Sequence, residues 1–207
     1  MPTANSRGKF ITLEGVDGAG KSTHIPAIEA LLRARGLDLV VTREPGGTPL
    51  AEKLRALLLS EPMGATTEAL LMYAARGDHV QQVLLPALSA GRWVVCDRFS
   101  DATRAYQGAG KGVSREFLDS LSHAMHPGLV PDLTLVFDCP WEIARQRLGK
   151  SGRALDRFER EDHAFFDRVR GAYLDLARSE PQRVRVIDAT LTFADIHTLV
   201  EQSISTI

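Results

Sequence analysis

Cysteine is scarce in this sequence: Cys96 and Cys139 are the only two in 207 residues. That is too few for a disulfide-stapled scaffold. Each closes or follows an apolar run, which predicts two core thiols in a reducing, cytoplasmic setting. No run approaches the ~20 apolar residues of a membrane-spanning helix. The opening "MPTANSRGK" is polar and lacks the apolar centre of a secretory leader. Charge of one sign is not in excess either. The 25 Lys and Arg against 26 Asp and Glu give a formal net charge of −1, so no global field recruits nucleic acid or a membrane surface. Fixed-period repeats and low-complexity tracts are missing.

What is present is an ordinary globular composition, 44% apolar and 25% charged. It suffices for one sizeable core and predicts a single domain over 1–207. Short β-branched runs alternate with helical patterns. "KFITLE" (9–14), "LDLVVT" (37–42), "RWVVCD" (92–97), "DLTLVFD" (132–138) and "VRVID" (184–188) read as strands. Helical spacing follows the first strand and ends at Gly36. It recurs over 49–60, over 66–90 with a kink near Pro86, in "REFLDSLSHAM", through Phe165–Leu176 spacing, and from Phe193 to Val200. Nearly continuous apolar strands between helices predict an α/β fold: a five-stranded parallel sheet with helices on both faces, three layers in all. Ligands of such folds lie beyond the carboxyl ends of the strands. Asp17 and Lys21, Arg43 and Glu44, and Asp97 and Arg98 all fall just after strands.

Gly15-Val16-Asp17-Gly18-Ala19-Gly20-Lys21-Ser22 matches G-x-x-x-x-G-K-[ST], between a strand and a helix. Its glycines let successive N–H groups turn inward on phosphate oxygens, and the following helix adds the positive end of its dipole. The chain is therefore expected to have the P-loop NTPase fold and to bind ATP or GTP through 15–22 and Thr23. Lys21 would reach the β- and γ-phosphates and the Ser22 hydroxyl would meet Mg²⁺. No N-K-x-D base motif of a GTPase switch is present. A small nucleotide kinase needs three further things: a carboxylate near the metal, cations for the acceptor phosphate, and a lid. Asp97 and Asp138 close strands and are carboxylate candidates. Arg98 follows Asp97, and such a pair at a strand end over a phosphate site suits metal-shell and charge-stabilising work; Arg43 in "TREPGGTP" and Arg76 in "LLMYAARGDH" offer forked donors that suit the acceptor phosphate. The arginine-rich segment around 147–160, with Gly149 and Gly152 as helix breakers, is the lid candidate. Arg145, Arg147, Lys150, Arg153, Arg157 and Arg160 supply its charge.

At this point the chain resembles the thymidylate kinases. The likeness rests on "EGVDGAGKST", "TREPGGTPLAE", "EALLMYAAR", "DRFSDATRAYQG", "PDLTLVFD" and "LDRFE", in that order over nearly the whole chain. The resemblance implies transfer of the γ-phosphoryl of ATP to dTMP with Mg²⁺, giving ADP and dTDP, and a homodimer. It implies that Asp17 holds the acceptor's 3′-hydroxyl and that Arg43 and Arg98 bind its phosphate. Arg76 and Gln107 would contact the thymine edge, while Ser100, Thr103 and Tyr106 line the pocket. Met72 stands where the family usually has a phenylalanine that stacks on the base; a thioether can still pack on a ring face. Gly18 stands where some members carry a loop arginine, so the lid arginines, Arg153 foremost, would meet transition-state charge, as in the bacterial type. Asp17, Asp97 and Glu159 are all open as the acid near Mg²⁺. The catalytic set is thus Lys21, Asp17, Arg98 and Arg153, with Ser22, Asp97 and Glu159 around the metal. Another nucleotide kinase of the same fold, or a non-catalytic P-loop module, is the rival reading.

Overall fold

The computed structural model describes residues 7–150, 152 and 154–207. Five strands run parallel in one sheet: β1 Phe10–Glu14, β2 Leu39–Arg43, β3 Trp93–Asp97, β4 Leu133–Asp138 and β5 Val184–Asp188, in the order β2-β3-β1-β4-β5. Register is fixed at the centre, where Thr12 lies level with Cys96 on one side and Thr134 on the other. Every residue of β1 is buried, as a central strand covered on both faces must be. Its side chains alternate. Phe10 joins Val80, Leu84, Leu88, Val94 and Phe99 in one core, and Ile11 and Leu13 join Ile28, Leu135, Val169 and Ile196 in the other.

The helices are α1 Lys21–Ala34, α2 Pro49–Ser60, α3 Ala65–His79, α4 Leu85–Ser89, α5 Ser100–Thr103, α6 Arg115–Met125, α7 Trp141–Lys150, α8 His163–Ser179 and α9 Phe193–Ile204. Starts are specified locally. Thr48 accepts from Ala51 N–H ahead of Pro49, and Asp162 accepts from Phe165 N–H. Two helical paths widen into π geometry: Val80–Leu84 links α3 to α4, and Arg104–Gly110 prolongs α5. Pro86, expected to kink the long helix, sits just after the first of these wide turns. Its missing N–H falls where the ladder is already interrupted. One expectation is corrected. Gly149 does not break a helix, because α7 runs through Lys150, and Gly152 follows it with φ 69°. The run from 100 to 110, which carries no obvious strand or helix signal, is helical throughout.

The strand order leaves an opening. From β1 the chain crosses outward to β2 and later returns to β4 on the opposite flank, so the carboxyl ends of β1, β3 and β4 border one crevice. Both cysteines are buried and free.

Candidate active site

The loop between β1 and α1 bends as its glycines allow. Gly15, Gly18 and Gly20 all have positive φ, and a Cβ at Gly18 would sit 2.4 Å from the Ala144 carbonyl oxygen. Lys21 is buried and folds back over the loop, its Nζ donating to Gly15 O at 2.9 Å and Val16 O at 3.0 Å. Burial, reinforced by the nearby Arg98 guanidinium, lowers its pKa to about 8. Asp17, Gly18, Ala19, Gly20, Lys21, Ser22 and Thr23 border an open groove of about 1570 Å³. Gly15 and Val16 are buried, Val16 packed in the core.

Beside the groove is a second cavity, about 560 Å³ including its mouth, walled by Met72, Arg76, Phe99, Thr103, Tyr106, Gln107 and Phe158 among others. Asp17, Glu44, Arg55, Arg98 and Asp156 border both spaces and form their junction. The lining residues 99, 102, 103, 106 and 107 follow helical spacing, so one face of the α5 path supplies them. Ser100 is not on that face. It opens instead on a cleft with Asp101, Arg104 and His126, and the expectation that it lines the pocket is corrected on that geometry.

Arg76 is held on three sides. Its Nε donates to Glu44 Oε2 at 2.7 Å, and its Nη2 donates to Phe99 O and Thr103 Oγ1, both at 3.0 Å. The Nη1 atom, equally buried, has no hydrogen-bond partner among the described residues. Glu44 is fixed in turn by His79 Nδ1 at 2.9 Å. Burial alone would raise the Glu44 carboxyl, but Arg76 and His79 outweigh it and hold the pKa low. A buried guanidinium that lines a cavity and keeps one orphan donor is poised for a ligand acceptor.

Arg98 is the only non-glycine residue with positive φ (71°) among those described. This sparsely occupied conformation is pinned by Arg98 N–H to Leu13 O at 2.9 Å. It aims the guanidinium at Asp17 Oδ1 (2.6 Å), Tyr106 Oη (2.9 Å) and Tyr173 Oη (3.3 Å). Tyr106 also donates to Asp17 Oδ2 at 2.9 Å. Burial would raise the Asp17 carboxyl, yet Arg98 and Lys21 together hold it below its usual range. Asp97, the preceding residue, borders the groove, and its buried Oδ1 has no hydrogen-bond partner among the described residues. Asp138 instead pairs in bidentate fashion with Arg170 at 2.6 and 2.8 Å, away from the groove.

Arg43 is half-exposed at the groove mouth and pairs with Glu52 at 3.0 Å. Of the arginine-rich segment, Arg147 lies on α7 and spans from Ala19 O (3.2 Å) to Ala189 O (2.8 Å) along the groove wall. Arg157 points elsewhere, to Leu58 O at 2.5 Å and Glu68. Glu159 borders the groove, its Oε2 accepting from Asp156 N–H at 3.0 Å. Arg153 lies outside the described residues. Arg55 was not among the expected site residues. It reads in sequence as one more position of an amphipathic helix, yet it sits at the junction with its Nη1 donating to Pro45 O at 2.9 Å. Desolvation, with Arg43 and Arg98 nearby, lowers its pKa.

A glycine loop feeding a helix at the tip of a central parallel strand, with a second pocket opening from the same crevice, defines a P-loop nucleotide kinase. Comparison narrows the class. A sequence model described as thymidylate kinase matches residues 13–200. The thymidylate kinase of Bordetella pertussis is 58% identical over 184 residues, 89% of this chain and 88% of the relative. That of Cupriavidus necator is 56% identical over 203 residues, 97% of this chain and all of the relative. The crystal structure of thymidylate kinase from Ehrlichia chaffeensis superposes with a TM-score of 0.77 at 33% identity, covering 96% of this chain and 99% of that one. The chain belongs to the thymidylate kinase family.

Proposed function

We propose that this chain catalyses the reaction its family is named for, ATP + dTMP to ADP + dTDP. One observation carries the reading: the phosphate-loop groove and the Arg76–Gln107 cavity meet at a junction lined by Asp17, Arg55 and Arg98. ATP lies in the groove with its phosphates on 15–23, and dTMP in the cavity with its phosphate at the junction. The orphan Nη1 of Arg76 donates to a thymine carbonyl, Gln107 meets the adjacent ring N–H, and Met72 and Phe158 flank the base. Asp17 accepts from the 3′-hydroxyl, and Tyr106 crowds the 2′ position.

A dTMP phosphate oxygen attacks the γ-phosphorus, a new P–O bond forms and the bond to the β-phosphate oxygen breaks. The acceptor oxygen is already anionic, so no general base is needed. The task is to bring two polyanions into line and offset their repulsion. Lys21 acts on the β- and γ-phosphates, and Arg98, Arg43 and Arg55 act on the acceptor phosphate. Ser22 and Asp97 fit Mg²⁺, since a hard cation takes oxygen ligands and Asp97 carries an unpartnered buried oxygen beside the groove. Glu159 stands at the groove's far wall as a further candidate. The ion would neutralise phosphate charge. Residues 147–160 act as the lid, Arg153 its foremost catalytic candidate. The protein is a cytosolic homodimer in this reading, as the exposed leucines on α2 and α3 favour.

A coupled assay of acceptor-dependent ADP release, run with dTMP, dUMP, dCMP, dGMP and thymidine, tests the proposal. dTMP should give the highest kcat/KM. Lys21→Ala and Arg98→Ala should each lower it at least ~100-fold, a barrier increase of about 2.7 kcal/mol. Near-wild-type turnover by either folded variant, or no dTMP-dependent release at all, would refute the assignment.

A further inference from the structure

Glu68 lies on α3, fully buried, and does not touch the cavity. Two hydrogen-bond donors and a further cation, from two other stretches of chain, converge on it. Gln107 Nε2 donates to Oε1 at 2.6 Å, Lys111 Nζ donates to Oε2 at 3.0 Å, and Arg157 Nη2 stands 2.5 Å from the same oxygen. Lys111 is tied further to Glu161 at 3.2 Å, and Arg157 to Leu58 O. A carboxylate buried among two cations accepts on both oxygens. Gln107 can therefore meet it only through its amide nitrogen. The carbonyl oxygen of Gln107 is then the atom left for the cavity that this side chain lines.

We propose that Glu68 is a positioning residue for base selection: by holding the Gln107 amide nitrogen, it presents the amide oxygen to the bound pyrimidine as an acceptor. Thymine offers a ring N–H there. Cytosine offers a lone pair at the same atom, and acceptor would face acceptor. Arg76 supplies the other half of the selection. Its Nη1 donor suits the carbonyl of thymine and opposes the amino group of cytosine. Discrimination by unpaired buried groups is the stronger kind, because the wrong base leaves polar atoms unsatisfied. This inference rests on the cavity being the dTMP site.

Glu68→Gln is nearly isosteric and lets both amides turn over. In the full-length protein it should raise KM for dTMP about 10-fold while kcat stays within about 3-fold, and lower the dTMP-to-dCMP ratio of kcat/KM at least ~10-fold. A buried residue that served packing alone would leave that ratio unmoved. In a Gln107→Leu background the same substitution should add nothing further to the loss of discrimination. Thermal melts of each variant establish that it is folded. If Glu68→Gln does not fold, Glu68→Gln/Lys111→Met, which removes one surplus cation, takes the same measurements with the same outcomes expected. A folded variant that keeps the wild-type ratio, or that loses it equally without Gln107, overturns the proposal. Wild-type protein that fails to use dTMP would sink the functional reading instead, so the two failures are distinguishable.

Discussion

Lys21 shows how much the surroundings of one side chain decide. Its ammonium makes two hydrogen bonds to carbonyls of its own loop, in a spot from which water is largely excluded. Burial and Arg98 bring its pKa down from the ordinary lysine range to about 8. Only the charged form serves a polyphosphate, and a lowered pKa means that this form is lost as pH rises through about 8. The pH dependence of kcat/KM for ATP reports groups of the free enzyme. It should therefore decline above about pH 8, and Lys21→Arg, active or weakly active, should carry that limb past about pH 10, because guanidinium stays protonated. A limb that keeps its position in the arginine variant would assign the titration to another group. Arg98 works by orientation instead. Its left-handed backbone turns the fork toward Asp17 and Tyr106, a conformation that nothing in the string "DRFS" announces.

At the scale of elements, the readable and the unreadable separate by distance along the chain. Strand and helix signals are local, and the five strands and most helices lie where apolar period and turn residues predict them. The glycine loop was legible for the same reason, since one short motif carries both its geometry and its chemistry. Partnerships across the fold were not. Glu44 holds Arg76 over a separation of 32 residues, and Glu68 holds Gln107 over 39. The end of α7 was misplaced because Gly149 reads as a helix breaker, whereas the helix runs to Lys150 and Arg147 on it braces the loop at Ala19 against the chain after β5. Surface stripes fall between these cases. Leu50 and Leu57 are seven residues apart on α2, hence on one face, and both stay about half exposed, as does Leu70 of α3. That is the face expected to bury itself in a homodimer. Sedimentation of the wild-type protein should give a dimer, and Leu50→Glu/Leu57→Glu a monomer. A monomeric wild type, or a variant that stays dimeric, would remove this face from consideration.

The whole molecule is organised around a central strand that is also the root of its chemistry, and Glu14 is where the two roles meet. It ends β1, fully buried, accepting from Phe99 N–H at 2.7 Å and Tyr173 Oη at 2.8 Å. It thereby ties the turn that aims Arg98 to helix α8. Burial, reinforced by the nearby Asp101 carboxylate, raises its pKa to about 8. In the unfolded chain the same carboxyl titrates in the ordinary range, about 4.3. Between those values the native state keeps a proton that the unfolded state has lost, so the group's contribution to stability drains away as pH rises through that window. Glu14→Gln fixes the uncharged form and removes this dependence. Melting temperatures of the two proteins at matched ionic strength, from about pH 5 to about pH 9, should converge at the acid end and separate at the alkaline end, the variant being the more stable there by a few degrees. Parallel curves would mean that Glu14 is ionised in the fold throughout. Arg98 would then have to stabilise its charge, and the guanidinium assigned to the acceptor phosphate would be partly committed to the strand beneath it.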